Sequence, residues 1–237
     1  MAETILELRQ VTRTIGDKHI IDDFSAGFKK GQIYTIIGPS GAGKSSLLRL
    51  LNRLDDPTAG EILFHDINIS EFPPTRLRCK IGYLFQTPHM FEGTIRDNFF
   101  YAECARTDET AHRLADLVQI DRSLIDADTE PLSVGQKQRV ALGRLLATNP
   151  EIALLDEPTS ALDPSITEAI ETTVRGIVAR TNLTVIWVTH HPDQALRMNG
   201  ETLLMVQGRL IESGPSREVI NNPSTLLGKR YQSRELR

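Results

Sequence analysis

The segment Gly38–Ser45, which reads GPSGAGKS, constrains the fold more than any other part of this sequence. It follows an apolar, β-branched run, Gln32–Ile37, and precedes a leucine-rich pattern with helical spacing, Lys44–Leu54. A strand, a glycine-rich turn and a helix in this order form a phosphate-binding loop, in which main-chain N–H groups converge on phosphate oxygens. The segment therefore predicts nucleotide binding on a mostly parallel α/β framework.

The loop itself supplies most of the predicted nucleotide contacts. The Lys44 side chain is long enough to reach the β- and γ-phosphates, and the Ser45 hydroxyl is a suitable ligand for Mg²⁺. The predicted nucleotide-binding residues of this segment are Gly38, Pro39, Ser40, Gly41, Ala42, Gly43, Lys44, Ser45 and Ser46.

Two carboxylates follow a second apolar strand, Ile152–Leu155. Ligands of parallel α/β sheets bind at the carboxyl ends of the strands, which is where Asp156 and Glu157 lie. An aspartate at this place can hold the metal, and an adjacent glutamate can polarise a water molecule for attack on a phosphate. We therefore predict Asp156 as a Mg²⁺ ligand and Glu157 as a catalytic residue.

A histidine pair ends a third apolar strand, Thr184–Thr189. The position of His190 fits a hydrogen bond to the γ-phosphate, so it is the second predicted catalytic residue. Its neighbour His191 raises the question of a shared metal. Adjacent residues of a strand point to opposite faces, so a shared metal is not expected.

The remaining pattern indicates a single domain, residues 1–237. Thr4–Arg9 alternates like an edge strand, and strand–helix alternation implies a mostly parallel sheet covered by helices. Helical periods dominate residues 86–147, which are predicted to be an inserted helical subdomain within a core made of 1–85 and 148–237. Gly228–Arg237 is polar and is expected to be frayed.

Composition excludes several classes of function. The net charge of -4 lacks the basic excess of a nucleic-acid binder, so no nucleic-acid partner is expected. The two cysteines, Cys79 and Cys104, form no disulfide framework and are expected to be free, inert thiols. No signal peptide is apparent, and no window approaches the roughly 18 apolar residues of a membrane span. A membrane role therefore requires a partner chain.

An ordered set of short motifs resembles an ABC-type ATPase over nearly the whole chain. The set is GPSGAGKSS, Gln86 after a strand, LSVGQKQR (132–139), LLDEP, SALD (160–163) and VTH (188–190). LSVGQ upstream of LLDEPTSALD makes the resemblance specific. It implies a RecA-like P-loop NTPase core with an N-terminal antiparallel β region, ATP and Mg²⁺ as cofactors, and ATP hydrolysis as the activity.

The resemblance also implies that two copies meet head to tail, with ATP between the phosphate loop of one and the signature segment LSVGQ (132–136) of the other. Ser133, Gly135 and Gln136 would then face the partner's nucleotide at a helix N-terminus, where the dipole favours phosphate. Asp163 would contact the opposite subunit. Gln86 would touch Mg²⁺ and relay to a transmembrane permease subunit on a separate chain.

The same resemblance places the protein in the cytoplasm, peripheral on the inner face of the cell membrane. A surface around Thr87–Phe100 would receive the permease. Met90, Phe91 and Phe99 suit such a groove if exposed, or else they belong to the core of the helical subdomain. The chain resembles stand-alone subunits of the phosphate-import or metal-export type.

Two positions depart from the family pattern. Val134 replaces the usual signature glycine, so this position cannot adopt glycine-only backbone angles. The position that carries an adenine-stacking aromatic in the family corresponds to Ile15 or Gly16 here, and neither is aromatic. Because stacking contributes about 1–3 kcal/mol per base, nucleotide affinity is expected to be weaker.

The sequence leaves two other functions open beside a transport ATPase. One is an ABC-type ATPase that is not coupled to transport, although neither tandem domains nor a coiled-coil insert is visible. The other is a nucleotide-binding regulatory module without turnover. Val134 and the missing aromatic favour this alternative. Lys44, Asp156 and Glu157 favour hydrolysis over that alternative.

Overall fold

The computed structural model describes residues 3–102, 106–160 and 162–236; Cys104, Ala161 of the SALD motif and Arg237 lie outside them. The strands are β1 (Thr4–Ile15), β2 (Lys18–Lys29), β3 (Ile33–Ile37), β4 (Ala59–Phe64), β5 (Ile67–Asn68), β6 (Ile81–Leu84), β7 (Ile152–Asp156), β8 (Thr184–Val188), β9 (Glu201–Val206) and β10 (Arg209–Pro215). The helices are α1 (Lys44–Leu51), α2 (Pro74–Lys80), α3 (Ile95–Phe99), α4 (Asp108–Leu117), α5 (Val134–Ala147), α6 (Pro164–Thr181), α7 (Pro192–Met198), α8 (Ser216–Asn221) and α9 (Leu226–Gln232).

These strands form two sheets. A six-stranded sheet has the order β10-β9-β3-β8-β7-β6, and only the β10–β9 pairing is antiparallel. A four-stranded antiparallel sheet has the order β2-β1-β4-β5. The predicted mostly parallel sheet with an N-terminal antiparallel region is therefore confirmed. The prediction of an edge strand at Thr4–Arg9 is wrong, because β1 is longer and lies between β2 and β4, a long-range pairing that alternation cannot reveal.

The parallel sheet is buried on both faces, as its unbroken apolar strands require. In β8, Ile186 and Val188 face the core that contains the leucines of α1, while Val185 and Trp187 face the core formed with α5 and α6. Trp187, the only tryptophan of the chain, is fully buried, and its indole N–H has no partner among the described residues.

Two predicted boundaries change for reasons visible in the structure. Helix α1 ends at Leu51 rather than Leu54, because the Arg49 carbonyl oxygen accepts the N–H groups of Leu54 and Asp55 as the chain turns back. The expectation that Gly228–Arg237 is frayed is wrong for the first half of that segment. Residues 228–232 belong to α9, whose Tyr231 packs on a small apolar cluster with Ile37.

Candidate functional site

Four parallel strands, β3, β6, β7 and β8, have their carboxyl ends at the same edge of the sheet. The phosphate loop follows β3, Gln86 follows β6, the acidic pair lies at the end of β7, and His190 follows β8. The fold therefore collects residues from four distant parts of the sequence along one edge.

The phosphate loop depends on glycine at particular positions. Gly43 has φ 99°, and a Cβ there would lie 2.6 Å from the Ile20 carbonyl oxygen. A Cβ on Gly38 would overlap the Met205 carbonyl oxygen. Gly41, at φ 74°, has no atom within 4 Å of its Cβ position and so needs glycine for its backbone angle alone. The loop is a preformed cradle enclosed by β2 and β9.

Lys44 is buried at the start of α1 and bends back over this loop. Its Nζ donates to the carbonyl oxygens of Gly38 at 2.8 Å and Pro39 at 2.9 Å. Burial lowers the pKa of Lys44, although the nearby charges of Glu157 and Asp156 oppose that shift. A buried ammonium satisfied only by carbonyls is suited to an anionic ligand, which explains why this residue type belongs in a phosphate cradle.

Asp156 lies between two hydroxyl donors at the end of β7. Ser45 Oγ donates to its Oδ1 at 2.9 Å, and Tyr83 Oη donates to its Oδ2 at 2.8 Å. Burial raises the pKa of Asp156, and the two hydrogen bonds only partly offset this. The Ser45 hydroxyl and the Asp156 carboxylate form an oxygen donor pair of the kind that Mg²⁺ prefers, so the residues present fit this ion.

Glu157 and His190 lie in direct contact across the ends of β7 and β8. His190 Nδ1 lies 3.0 Å from Glu157 Oε2, and the Glu157 N–H donates to the Val188 carbonyl oxygen at 3.1 Å. Glu157 has φ 44°, a left-handed backbone conformation that is uncommon for residues other than glycine. The two predicted catalytic residues are therefore brought together.

The expectation that His190 and His191 point to opposite faces is wrong. Their ring centroids are 3.9 Å apart, because β8 ends at Val188 and the pair lies in the following bend. Burial lowers the pKa of His191. Within the described residues, no group of three or more histidine, cysteine or acidic side chains forms a metal site.

Gln86 lies near the acidic pair Asp156 and Glu157, but its side chain is hydrogen-bonded to the loop that follows β7. Its Nε2 donates to Ser160 Oγ at 3.2 Å. Ser160 follows the acidic pair by three residues, so this hydrogen bond links the segment after β6 to the segment after β7.

The signature residues form the start of α5. Ser133 is its N-cap: Ser133 Oγ accepts the Gln136 N–H at 3.3 Å, and Gln136 Oε1 accepts the Ser133 N–H at 2.9 Å. Gly135 packs against α6, where a Cβ would lie 2.9 Å from Ile166 Cγ2. Val134 is half exposed and is not among the described residues with positive φ, so valine is accommodated without strain.

Asp163 caps α6 in the same way. Its Oδ1 accepts the N–H groups of Ser165 and Ile166, both at 3.0 Å, and hydrogen bonding to Ser165 lowers the Asp163 pKa. No hydrogen bond or ion pair between described residues joins Ser133 or Asp163 to the phosphate loop. The N-terminus of α1 at the phosphate loop and the N-terminus of α5 are thus two separate places in one chain.

The hairpin between β1 and β2 carries the predicted adenine slot. Ile15 is exposed over 61% of its surface, and Gly16 follows in the turn at φ 56°.

In the phosphate loop, Ala42 is buried and its carbonyl oxygen accepts the Gly208 N–H at 2.9 Å. Ser40 is exposed.

An aromatic groove lies beside Gln86. Phe91 and Tyr101 are stacked with centroids 3.5 Å apart, and the Arg144 guanidinium lies 4.7 Å from the Phe91 centroid. The cavity here is about 340 Å³ and also includes the half-exposed Phe85. Phe99 is fully buried, so it belongs to the core and not to the groove.

Sequence reasoning missed several residues of this edge. Tyr83 was not singled out, although the side chain of a residue near the end of β6 is well placed to reach the end of β7. Thr159, Thr189 and Gln194 form a buried polar cluster behind the acidic edge, and no motif marks them. Tyr231 lies by the Gly38 main chain, in a segment whose polarity suggested disorder.

A phosphate loop after β3, a metal-type carboxylate, and a glutamate with a histidine at one sheet edge define a P-loop ATPase. A family model described as "ABC transporter" matches residues 21–160. The chain belongs to this family, and it is an ATP-binding cassette that hydrolyses ATP to power transport.

Two curated relatives show how far this similarity extends. The phosphate import ATP-binding protein PstB of Thermotoga maritima is 35% identical over 246 residues, which cover 97% of this chain and 97% of that protein. Protein STAR1 of Oryza sativa subsp. japonica is 42% identical over 194 residues, and the match covers 80% of this chain. That match spans 56% of the rice protein, so the chain corresponds to only part of some relatives.

Solved structures agree with the fold. CbiO1 from Clostridium perfringens, part of the ABC transporter complex cbiONQ, superposes with a TM-score of 0.85 at 26% identity and covers 98% of this chain and 97% of its own. The ATP-binding cassette MJ0796, a dimer in a post-hydrolysis state bound to ADP and Pi, gives a TM-score of 0.78 at 28% identity and covers 90% and 99%.

Each helix within the described part of the chain is too short or too polar to cross a lipid bilayer.

Proposed function

We propose that two copies of this chain close head to tail around ATP, and that this closure drives a transmembrane permease on a separate chain. The observation that carries the proposal is that no hydrogen bond or ion pair between described residues joins the N-terminus of α5 to the phosphate loop at the N-terminus of α1, although both are suited to bind an anion. The dimeric state reported for MJ0796 supports the arrangement. We further propose that the protein acts at the cytoplasmic face of the membrane, with residues 86–147 as the signature subdomain.

The residues divide the work as follows. The cradle Gly38–Ser46 and Lys44 bind the phosphates of one ATP, and Ser133, Gly135 and Gln136 of the other copy bind its γ-phosphate. Asp163 lies at the same dimer interface. Because ATP carries several negative charges, clamping it between two donor-rich faces favours closure, and hydrolysis removes that bridge.

Hydrolysis requires activation of water. Glu157 accepts the proton of the attacking water, and His190 fixes the glutamate carboxylate and contacts the γ-phosphate. Ser45, Asp156 and Gln86 would hold Mg²⁺, which neutralises developing charge on the phosphates when bound. Buried Asp156 has a raised pKa, so a cation at this place would relieve an unfavourable buried charge.

Size-exclusion chromatography of Glu157→Gln tests the shared nucleotide. This variant keeps ATP intact, so we expect a stable dimer with Mg-ATP and a monomer without it. Adding Ser133→Ala should abolish the dimer, whereas the exposed serine control Ser123→Ala should not. A monomeric Glu157→Gln protein whose Tm still rises with Mg-ATP would contradict the proposal.

The aromatic groove is the proposed docking surface for the permease. We expect Phe91→Asp to prevent recovery of the tagged protein with membranes while leaving ATP-dependent dimerisation intact. Leu226→Asp is the matched control, since Leu226 is a well-exposed leucine outside the groove. Equal membrane recovery of both variants would rule out docking at this surface.

A further inference from the structure

The buried side-chain amide of Gln194 lies directly behind the sheet edge that carries Glu157 and His190. Gln194, on the first turn of α7, is 4% exposed. Its Nε2 donates to Thr159 Oγ1 at 2.8 Å, and its Oε1 accepts the hydroxyl of Thr189. Thr159 and Thr189 are also buried, and their hydroxyls are the hydrogen-bond partners of the Gln194 amide.

The cluster joins two loops that each carry a catalytic residue. Thr159 follows Glu157 by two residues, and Thr189 directly precedes His190. The hydroxyl of Thr189 also accepts the His191 N–H at 3.0 Å, so the bend that holds the histidines is fixed by the same chain of hydrogen bonds. Besides the Glu157 N–H bond to the Val188 carbonyl oxygen and the contact between His190 and Glu157, this amide also joins the two loops directly.

We infer that Gln194 is a positioning residue for ATP hydrolysis, which holds the Glu157 carboxylate and the His190 ring at their 3.0 Å contact by tying Thr159 to Thr189. The inference rests on the proposed roles of Glu157 and His190. A primary amide suits the task because it offers one donor side and one acceptor side, which match the two threonine hydroxyls. A methionine of similar volume would fill the site without holding either loop.

The inference predicts a specific kinetic pattern. Because misplacement of a catalytic group by about 1 Å costs roughly 100-fold in rate, Gln194→Met should lower kcat by about that factor. Thr159→Val, which breaks one of the two links, should lower it by roughly 10-fold. KM for ATP should stay within about 2-fold, because the described phosphate loop makes no hydrogen bond to this cluster. In a Glu157→Gln background, Gln194→Met should have no further effect on the residual rate.

Thr173→Val provides the matched control. Thr173 is a buried threonine on α6 whose hydroxyl donates within its own helix, to the Ala169 carbonyl oxygen. We expect a similar change in thermal stability for Thr173→Val and Thr159→Val, but an unchanged kcat for the control. Equal kcat values for both variants and for Gln194→Met would overturn the inference.

Nitrogen NMR of histidine-labelled protein tests the same contact without turnover. The His190 signal is identified from its loss in His190→Gln, and its Nδ1 shift should report the hydrogen bond to Glu157. We expect that signature to disappear in Gln194→Met and to persist in Thr173→Val. A persistent signature in folded Gln194→Met would overturn the inference. Loss of the signature in a protein that fails to dimerise with ATP would support the inference and contradict the proposed function, so the two can fail separately.

Discussion

Replacement of Gly43 by alanine separates the packing role of the phosphate loop from its backbone angle. A Cβ at this position would lie 2.6 Å from the Ile20 carbonyl oxygen and 3.0 Å from Met205 Cε. Gly41 is the matched control, since it also has a positive φ but nothing within 4 Å of a Cβ. The two variants share the cost of a left-handed backbone and differ in the overlap.

The expected magnitudes follow from these contacts. Gly41→Ala adds backbone strain of about 1–2 kcal/mol, which corresponds to a fall in Tm of roughly 2–8 °C for a chain of this size. Gly43→Ala adds about 1–3 kcal/mol for forcing the Ile20 carbonyl away, for a total of about 2–5 kcal/mol. Since Gly43 is also the N-cap of α1, the same displacement moves Lys44 and weakens ATP binding.

Thermal unfolding with and without ATP measures both effects. A ligand at 100 times its Kd adds about 2.7 kcal/mol to the stability of the folded state, and we expect Gly41→Ala to retain most of this gain and Gly43→Ala to lose it. Equal Tm values and equal ATP-induced shifts for the two variants would refute the steric reasoning.

Three further predictions concern the adenine base, the proposed metal ligand Asp156 and a buried ion pair between α6 and α7. Ile15→Tyr should tighten ATP binding by roughly 5- to 150-fold, the equivalent of about 1–3 kcal/mol of stacking, and unchanged affinity in a fluorescent-nucleotide titration would show that the hairpin does not contact adenine. Burial raises the pKa of Asp156, so the folded state binds this proton more tightly than the unfolded chain, and its contribution to stability falls as pH rises above about 4. Asp156→Asn should therefore raise the Tm of the nucleotide-free protein at pH 7 and abolish the extra shift caused by Mg²⁺ with ATP; a lower Tm would contradict this. Arg197→Met leaves the buried Glu171 carboxylate without its two hydrogen bonds of 2.6 and 2.8 Å and should cost about 3 kcal/mol, with recovery in the double variant that also carries Glu171→Leu, as measured by urea unfolding.

The sequence predicts well which residues meet at the carboxyl edge of the parallel sheet, because they lie next to strands whose apolar runs are unambiguous. Asp156 and His190 each follow a buried strand, and parallel strands must bring their carboxyl ends together. The left-handed angle of Glu157 could not be predicted, because it depends on a main-chain bond to β8, a strand far away in sequence. The cluster around Gln194 is equally invisible, since buried glutamine and threonine carry no periodic signal.

Errors at the ends of the chain have a common cause. The place of β1 in its sheet is decided by β4, more than 40 residues later, and alternation within β1 says nothing about that partner. Helix α9 reads as polar, yet Tyr231 covers the apolar cluster next to β3. In both cases the decisive contact is a long-range one, which local patterns do not contain.

The burial of Trp187 gives this protein an intrinsic optical probe. As the only indole of the chain, three residues before His190 on the central strand β8, it lies wholly in an apolar environment without a hydrogen-bond partner among the described residues. Its emission therefore comes from a single site that is shielded from water and from polar quenchers. Fluorescence of the unlabelled protein thus follows the opening of β8, the strand that leads into His190, separately from events in the antiparallel sheet.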